Sequence, residues 1–175
     1  MTETKGTFTD PRDGKVYKTV KIEGQTWLAE NLNFEAEGSK CYGDNPKNAE
    51  KYGRLYNWET AKKACPEGWH LPSNDEWKDL IKAAGFNMSG NNLKAKSGWR
   101  SFKGTDEFGF SALPGGYGHS DGNFSNVGIY GYWWSADEYF NDNACYWFMC
   151  FNESYASRGD NGKSNLFSVR CVQDF

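Results

Sequence analysis

Several features that most often announce a function are scarce or missing in this chain. Its 175 residues include only two histidines and five cysteines. No two cysteines are spaced as CxxC, which argues against a zinc site. Twenty Lys and Arg stand against 23 Asp and Glu, a formal charge of −3. A phosphate backbone needs a cationic face, so this balance argues against nucleic acid as the main partner. No apolar run approaches the roughly 18 residues of a membrane-spanning helix. Met1 to Gly6 are polar and hold no apolar signal-peptide segment; a chain trimmed from a longer secreted protein would begin the same way. Leu, Ile and Val are few, so a core of packed aliphatic helices is not expected.

Aromatic residues are what the chain has instead: 17% of it, eight of them Trp, alongside 20 glycines. The core is therefore expected to be rings closed by glycine turns. The length suits one domain over residues 1–175. Val16 to Ile22 alternates, with Val16, Val20 and Ile22 on one side. Glu23-Gly24 makes a turn, and Gln25 to Leu28 returns as the second arm of a hairpin. Residues 31–48 read as loop. A first helix is expected over 55–65, with Trp58, Ala61 and Cys65 on its apolar face and Pro66 ending it. Ser73 and Glu76 form a capping box for a second helix. Trp77, Leu80, Ile81 and Ala84 give it a buried stripe, and Gly85 is its C′ residue. Residues 87–105 are polar. Phe108 to Leu113 reads as a short strand broken by Pro114-Gly115-Gly116, and residues 122–127 as a loop or hairpin arm. Three further strands are expected at 132–134, 144–151 and 167–172. Hairpin, two helices, then several strands make an α+β layout with a twisted antiparallel sheet.

The last third concentrates the candidates for function. Two long C-terminal loops, 137–143 and 152–165, are expected to be held over one face of the sheet. In 144–151, Cys145, Trp147, Met149 and Phe151 share the face read as buried, and Tyr146, Phe148 and Cys150 share the other. Large side chains on the face away from a core suggest a binding surface. Tyr132, Trp134, Asp137, Tyr139, Phe140, Asp142, Asn143, Tyr146, Phe148, Asn152, Tyr155, Arg158 and Asp160 are the expected ligand-binding residues. Aromatics with a polar edge suit protein or carbohydrate ligands. Asp137, Glu138, Asp142, Glu153 and Asp160 are of the type calcium takes, although a solvated acidic loop is the plainer reading and no cofactor is expected. Cys145 and Cys150 are five apart on one strand, so they point to opposite faces and cannot share a metal unless a bulge intervenes. His70 sits between a glycine turn and a helix cap, and His119 in a glycine loop; neither has a nucleophile evidently paired with it, so no catalytic residue is expected.

Five ordered motifs carry a resemblance: YGRLYNW at 52–58, CPEGWHLPSNDEW at 65–77, FSALPGGY at 110–117, YWWSA at 132–136 and FSVRCV at 167–172. Together with the segment from Asp10 to Asn33 they resemble the Fibrobacter succinogenes major paralogous domain family. The resemblance implies a C-type-lectin-like fold, shared with formylglycine-generating enzymes and retroelement-diversified proteins. It implies a disulfide between Cys65 and Cys171, and a secreted or surface-anchored bacterial protein. The Glu-Pro-Asn, Gln-Pro-Asp and Trp-Asn-Asp motifs of calcium-dependent lectins are absent. The expected function is a non-enzymatic ligand-binding or adhesion module displaying the two loops. The alternatives are a retroelement-diversified receptor, a formylglycine-generating-type cysteine oxidase, and a structural envelope protein.

Overall fold

The computed structural model describes residues 4–101 and 104–175. In chain order its strands are β1 (Thr4–Thr9), β2 (Val16–Ile22), β3 (Gln25–Leu28), β4 (Leu55–Tyr56), β5 (Trp69–His70), β6 (Gly115–Gly118), β7 (Phe124–Val127), β8 (Tyr130–Phe140), β9 (Asn143–Cys150), β10 (Ala156–Gly162), β11 (Phe167–Ser168) and β12 (Val172–Gln173). The α-helices are α1 (Pro46–Tyr52), α2 (Trp58–Ala64), α3 (Asn74–Ala83) and α4 (Ser89–Leu93). The class is α+β. One sheet has the order β1-β2-β3-β12-β5 and the other β10-β9-β8-β11-β4, with β6 also pairing β8 and β7 pairing β6.

Several elements form for the reasons legible in the sequence. Glu23 and Gly24 both take positive φ, 46° and 90°, the geometry of a two-residue hairpin turn matched to strand twist. Ser73 Oγ accepts from Glu76 N while the Glu76 carboxylate accepts from Ser73 N, so the capping box is complete. Trp77, Leu80 and Ile81 are its buried stripe, and Gly85 follows the helix in the left-handed region.

Other expectations are corrected. The second sheet is mixed, because β6 and β11 run parallel to β8. The 137–143 segment is the twisted tip of the β8–β9 hairpin, with register shifts after Trp134. Half of 152–165 is β10, a full strand paired with β9. Helix two of the chain begins at Trp58, not Leu55, because the Asn57 side chain accepts from Thr60 N and caps it there. The expected loop 31–48 ends in α1, started by Asn45 capping Lys47 N and by Pro46 at the first position. In the expected strand 108–113 only Ala112 pairs, with Lys94. Asp106 takes Ser111 N and Oγ at 2.7 Å each, and Ser111 is bent to φ 54°. Val16 is exposed while Tyr17, on the opposite side, is buried; its hydroxyl accepts from Asn33 N.

The 167–172 strand is split because it changes sheets. Ser168 pairs with Trp133 in the second sheet and Val172 with Trp27 in the first. Between them Val169 O and Cys171 O accept from Leu32 N and Leu28 N. Cys171 is bonded to Cys65, which ties the end of α2 to this crossing. A closed loop of about a hundred residues corresponds to roughly 4–5 kcal/mol in the chain-entropy account of disulfides.

Rings dominate the core, as the composition implies. Trp77 from α3 meets Trp27, Phe110, Trp133 and Trp147 at centroid distances of 5.0 to 6.2 Å. A second cluster gathers Trp58, Tyr56, Trp134 and Phe167 under α2. Aromatic pairs add about 0.5–1.5 kcal/mol each beyond their burial.

Candidate functional site

Cross-strand partners share a face, so the register of the second sheet sorts the candidate residues. Tyr132 opposes Phe148, and Phe148 opposes Ser157; Trp134 opposes Tyr146, and Tyr146 opposes Gly159. Their neighbours Trp133, Trp147, Gly131 and Met149 face the core. The outward side is thus a continuous row of rings. Tyr130 stacks on Tyr132 at 5.4 Å, and Tyr132 on Phe167 at 5.3 Å. Tyr146 and Phe148 lie 5.8 Å apart. Tyr117 joins them 5.2 Å from Tyr132. Tyr117, Tyr130, Tyr132, Tyr146 and Phe148 are all half-buried.

Two glycines permit this surface. Gly116 pairs with Gly131, bringing β6 against β8. Gly116 has φ 63°, and a Cβ there would lie 2.4 Å from Ser125 O. At Gly159 a Cβ would lie 2.7 Å from Tyr146 Cζ and Oη, so the missing side chain is the space in which Tyr146 rests.

The polar groups of this face are amides and hydroxyls. Asn126 Nδ2 donates to Tyr132 Oη at 3.0 Å, and Asn161 and Ser157 project from β10 on the same side. None of these residues is charged. Burial pushes the Tyr132 and Tyr146 phenols above their ordinary range, with nearby Asp160 adding to the second. A hydrogen bond to Cys150 does the same for Tyr130. All three hydroxyls therefore stay protonated at neutral pH.

Of the expected ligand-binding residues, Tyr132, Tyr146 and Phe148 are brought together here. The others are placed elsewhere. Trp134 is fully buried and its Nε1 donates to Tyr56 O at 2.7 Å; α2 covers that end of the face. Asp137 accepts from Asn74 N and Ser135 Oγ, so it caps α3. Tyr139 and Phe140 are exposed at the hairpin tip with Asp142. Asn143 Nδ2 donates to Asp160 Oδ1 at 2.8 Å. Arg158 and Asp160 oppose Trp147 and Cys145, and so lie on the other side of β10 from Tyr146. Asn152 and Tyr155 are exposed in the β9–β10 connection. Glu138 pairs with Lys163, and the acidic side chains of the two segments point to different places.

Tyr117, Ser125, Asn126, Ser157, Gly159 and Asn161 are members of the face that sequence reading missed, and Phe167 packs beneath its edge as part of the second core. The signal for Ser157 and Asn161 was alternation along β10, hidden by its polar composition. For Tyr117 no local signal exists, because a parallel pairing brings it in.

Cys41, Cys145 and Cys150 are free and buried. Cys145 and Cys150 occupy opposite faces of β9, as alternation requires. His119 does meet a serine: Nε2 lies 3.0 Å from Ser125 Oγ. Among the described residues no carboxylate bonds its Nδ1, so the pair is not a completed triad. No group of three or more metal-ligating side chains is assembled among the described residues, and no described helix is long and apolar enough to cross a membrane.

Neither a curated protein nor a solved structure matches the chain. The family model described as Fibrobacter succinogenes major domain matches residues 20–173. That span holds all five motifs, the disulfide and the whole aromatic face, and the chain belongs to this family.

Proposed function

We propose that the chain is a non-enzymatic binding module that holds its ligand on the outward face of β8, β9 and β10. The observation that carries the reading is the set of half-buried rings Tyr130, Tyr132, Tyr146 and Phe148 on the side of the sheet opposite Trp77, Trp133 and Trp147, where Tyr132 and Tyr146 border the second core cluster. A contiguous aromatic surface of this kind marks an interaction site on a protein otherwise rich in charge. The displayed element is therefore a rigid sheet, with the tip at 137–143 and the 152–155 connection as its rims. A secreted or surface-anchored bacterial location is part of the proposal, supported by a disulfide that needs an oxidising compartment. So is the C-type-lectin-like fold, supported by the pairing of β12 with β3, which brings the two ends of the chain onto one sheet. Binding to a surface of this composition requires no calcium.

The test is binding of the labelled protein to intact bacterial cells, with and without a chelator. Saturable binding that unlabelled protein displaces and that survives the chelator is expected. Absence of any saturable binding across a panel of envelopes would remove the reading and favour a structural envelope role.

A second reading, the retroelement-diversified receptor, is favoured by one specific pattern. Tyr146, Phe148, Cys150, Ser157, Gly159 and Asn161 all belong to the amino acids that codons ending in C can specify. Trp147 and Met149, on the core side of β9, do not, although Cys145, Arg158 and Asp160 on that side do. Deep sequencing of the coding segment for residues 137–168 in a culture grown from one cell decides it. Substitutions clustered on the outward positions are expected if it holds, and an invariant segment rejects it.

A further inference from the structure

β10 is the last strand of the second sheet, and its far edge is open. Lys163 N donates to Asp142 O, the next rung of the β9–β10 ladder. By alternation Ser157, Gly159 and Asn161 exchange backbone bonds with β9, while Ala156, Arg158, Asp160 and Gly162 aim theirs at the open edge. The two ends of that edge are occupied: Ala156 N donates to Ser89 Oγ, and Gly162 N to Asn161 Oδ1. The middle is not. Among the described residues no group takes the backbone N–H or C=O of Arg158 or Asp160, and both residues are exposed.

A second β10, laid antiparallel on this edge about a two-fold axis at Gly159, complements it. Arg158 falls opposite Asp160 of the other copy, and Asp160 opposite its Arg158. These are the residues whose backbone groups are free, so each exchanges its backbone bonds with a residue of opposite charge. Asn143 engages Asp160 only at Oδ1, which leaves Oδ2 for the guanidinium. The adjacent registers that also face free backbone groups would set Arg158 against Arg158, or Asp160 against Asp160, and like charges directly opposite are destabilising. Gly159 stands on the axis, at a pair without hydrogen bonds, where strands approach most closely and a glycine suits the contact.

The exposed apolar side chains obey the same two-fold. Phe86, Met88 and Tyr155 are exposed at the start of β10, where Ser154 Oγ donates to Asn87 O and Asn91 N to Ser154 O. Tyr139 and Phe140 are exposed at its end, where Phe140 pairs with Asn143 and Asn143 with Gly162. Among the described residues only Val16 and Phe175 are large, apolar and exposed elsewhere. An antiparallel pairing brings the start of one β10 to the end of the other, and so turns the two apolar groups toward each other on both sides of the axis. We infer that a second copy of this chain docks on the edge of β10, forming a symmetric dimer in which the two sheets continue as one. The two aromatic faces then lie side by side. Each copy carries its own face, so this inference does not rest on the binding reading above.

Sedimentation of the whole chain over a range of concentrations is the test, and a monomer–dimer equilibrium is expected. Arg158→Asp alone, or Asp160→Arg alone, turns both attractions into repulsions and should weaken self-association roughly tenfold or more. Both changes in one chain restore opposite charges across the axis and should restore the dimer. The two single variants, mixed, should pair with each other more tightly than either pairs with itself. Both positions are exposed on an edge strand, and an unchanged unfolding midpoint checks that the fold is kept. A chain that stays monomeric at every concentration overturns the inference. So does a dimer indifferent to the single reversals, or a double variant as weak as the single ones.

Discussion

Arg170 Nη2 donates to Asn31 Oδ1 at 2.9 Å in the sealed interior; among the described residues no carboxylate forms an ion pair with it, and Glu30 and Asp106 favour its charge only from a distance. The same oxygen accepts from Trp133 Nε1 at 2.8 Å, and Arg170 Nη1 donates to Phe110 O and Leu28 O. Asn31 Nδ2 donates to Tyr52 O and Ser168 Oγ. Asn31 thus joins residues from three of the five motifs, and Arg170 extends the network to a fourth through Phe110. Burial pulls the Arg170 guanidinium down to about 9, which leaves it charged at neutral pH.

Asn31→Ala should therefore cost about 3–5 kcal/mol, because it strands a buried cation and removes the partner of Trp133 Nε1, Tyr52 O and Ser168 Oγ. Arg170→Met, which removes the charge together with its needs, should cost less, about 1–3 kcal/mol. Urea unfolding of the two variants gives the order. A larger loss for Arg170→Met would show that its bonds to backbone carbonyls, and not relief of the charge, dominate.

The disulfide and the three buried thiols predict a titration. Native protein should react with no equivalents of a thiol reagent, denatured protein with three, and reduced denatured protein with five. Cys171→Ser with Cys65→Ser should lower stability by about 2–5 kcal/mol. Native reactivity at Cys150 would mean that the rim of the aromatic face opens.

His70 makes stability depend on pH. Burial lowers its pKa, but hydrogen bonds to Asp174 and Glu76 outweigh that and raise it above the ordinary value of 6.5. Protonated His70 is the bonded form, so its contribution is complete below pH 6.5 and is lost as pH rises through the folded-state pKa. His70→Asn should flatten that part of the stability profile. NMR titration of the ring should give a midpoint above 6.5; a midpoint below it would contradict the account.

Asp137 separates a structural carboxylate from a ligand contact. Asp137→Ala should cost about 1 kcal/mol of stability through the loss of the α3 cap and leave ligand binding unchanged. Weaker binding at full occupancy of the folded state would return the hairpin tip to the site.

What the sequence made legible follows from the range of each interaction. The capping box at Ser73 and Glu76 and the Glu23-Gly24 turn are set within a few residues and stand as read. The alternation around Trp147 stands from Cys145 to Met149, but Cys150, read onto the outward face, is buried, and Phe151 lies beyond the strand. The split of 167–172 was not legible, because Arg170 and Asn31 are coupled across 139 positions and the pattern of FSVRCV imitates one strand. Trp134 shows the same limit: alternation places it with Tyr132 and Tyr146, yet α2 covers it. Arg158 and Asp160 were drawn to the site by polarity, whereas register assigns them to the other face.

The register supplies the most direct test. Ser157 and Arg158 are neighbours whose side chains leave β10 in opposite directions. Cell-binding isotherms of Ser157→Arg and Arg158→Ser, each checked for an unchanged unfolding midpoint, isolate the face. The account predicts that Ser157→Arg abolishes saturable binding and that Arg158→Ser leaves it intact. Loss with Arg158→Ser and retention with Ser157→Arg would place the site on the other side of the strand and contradict it.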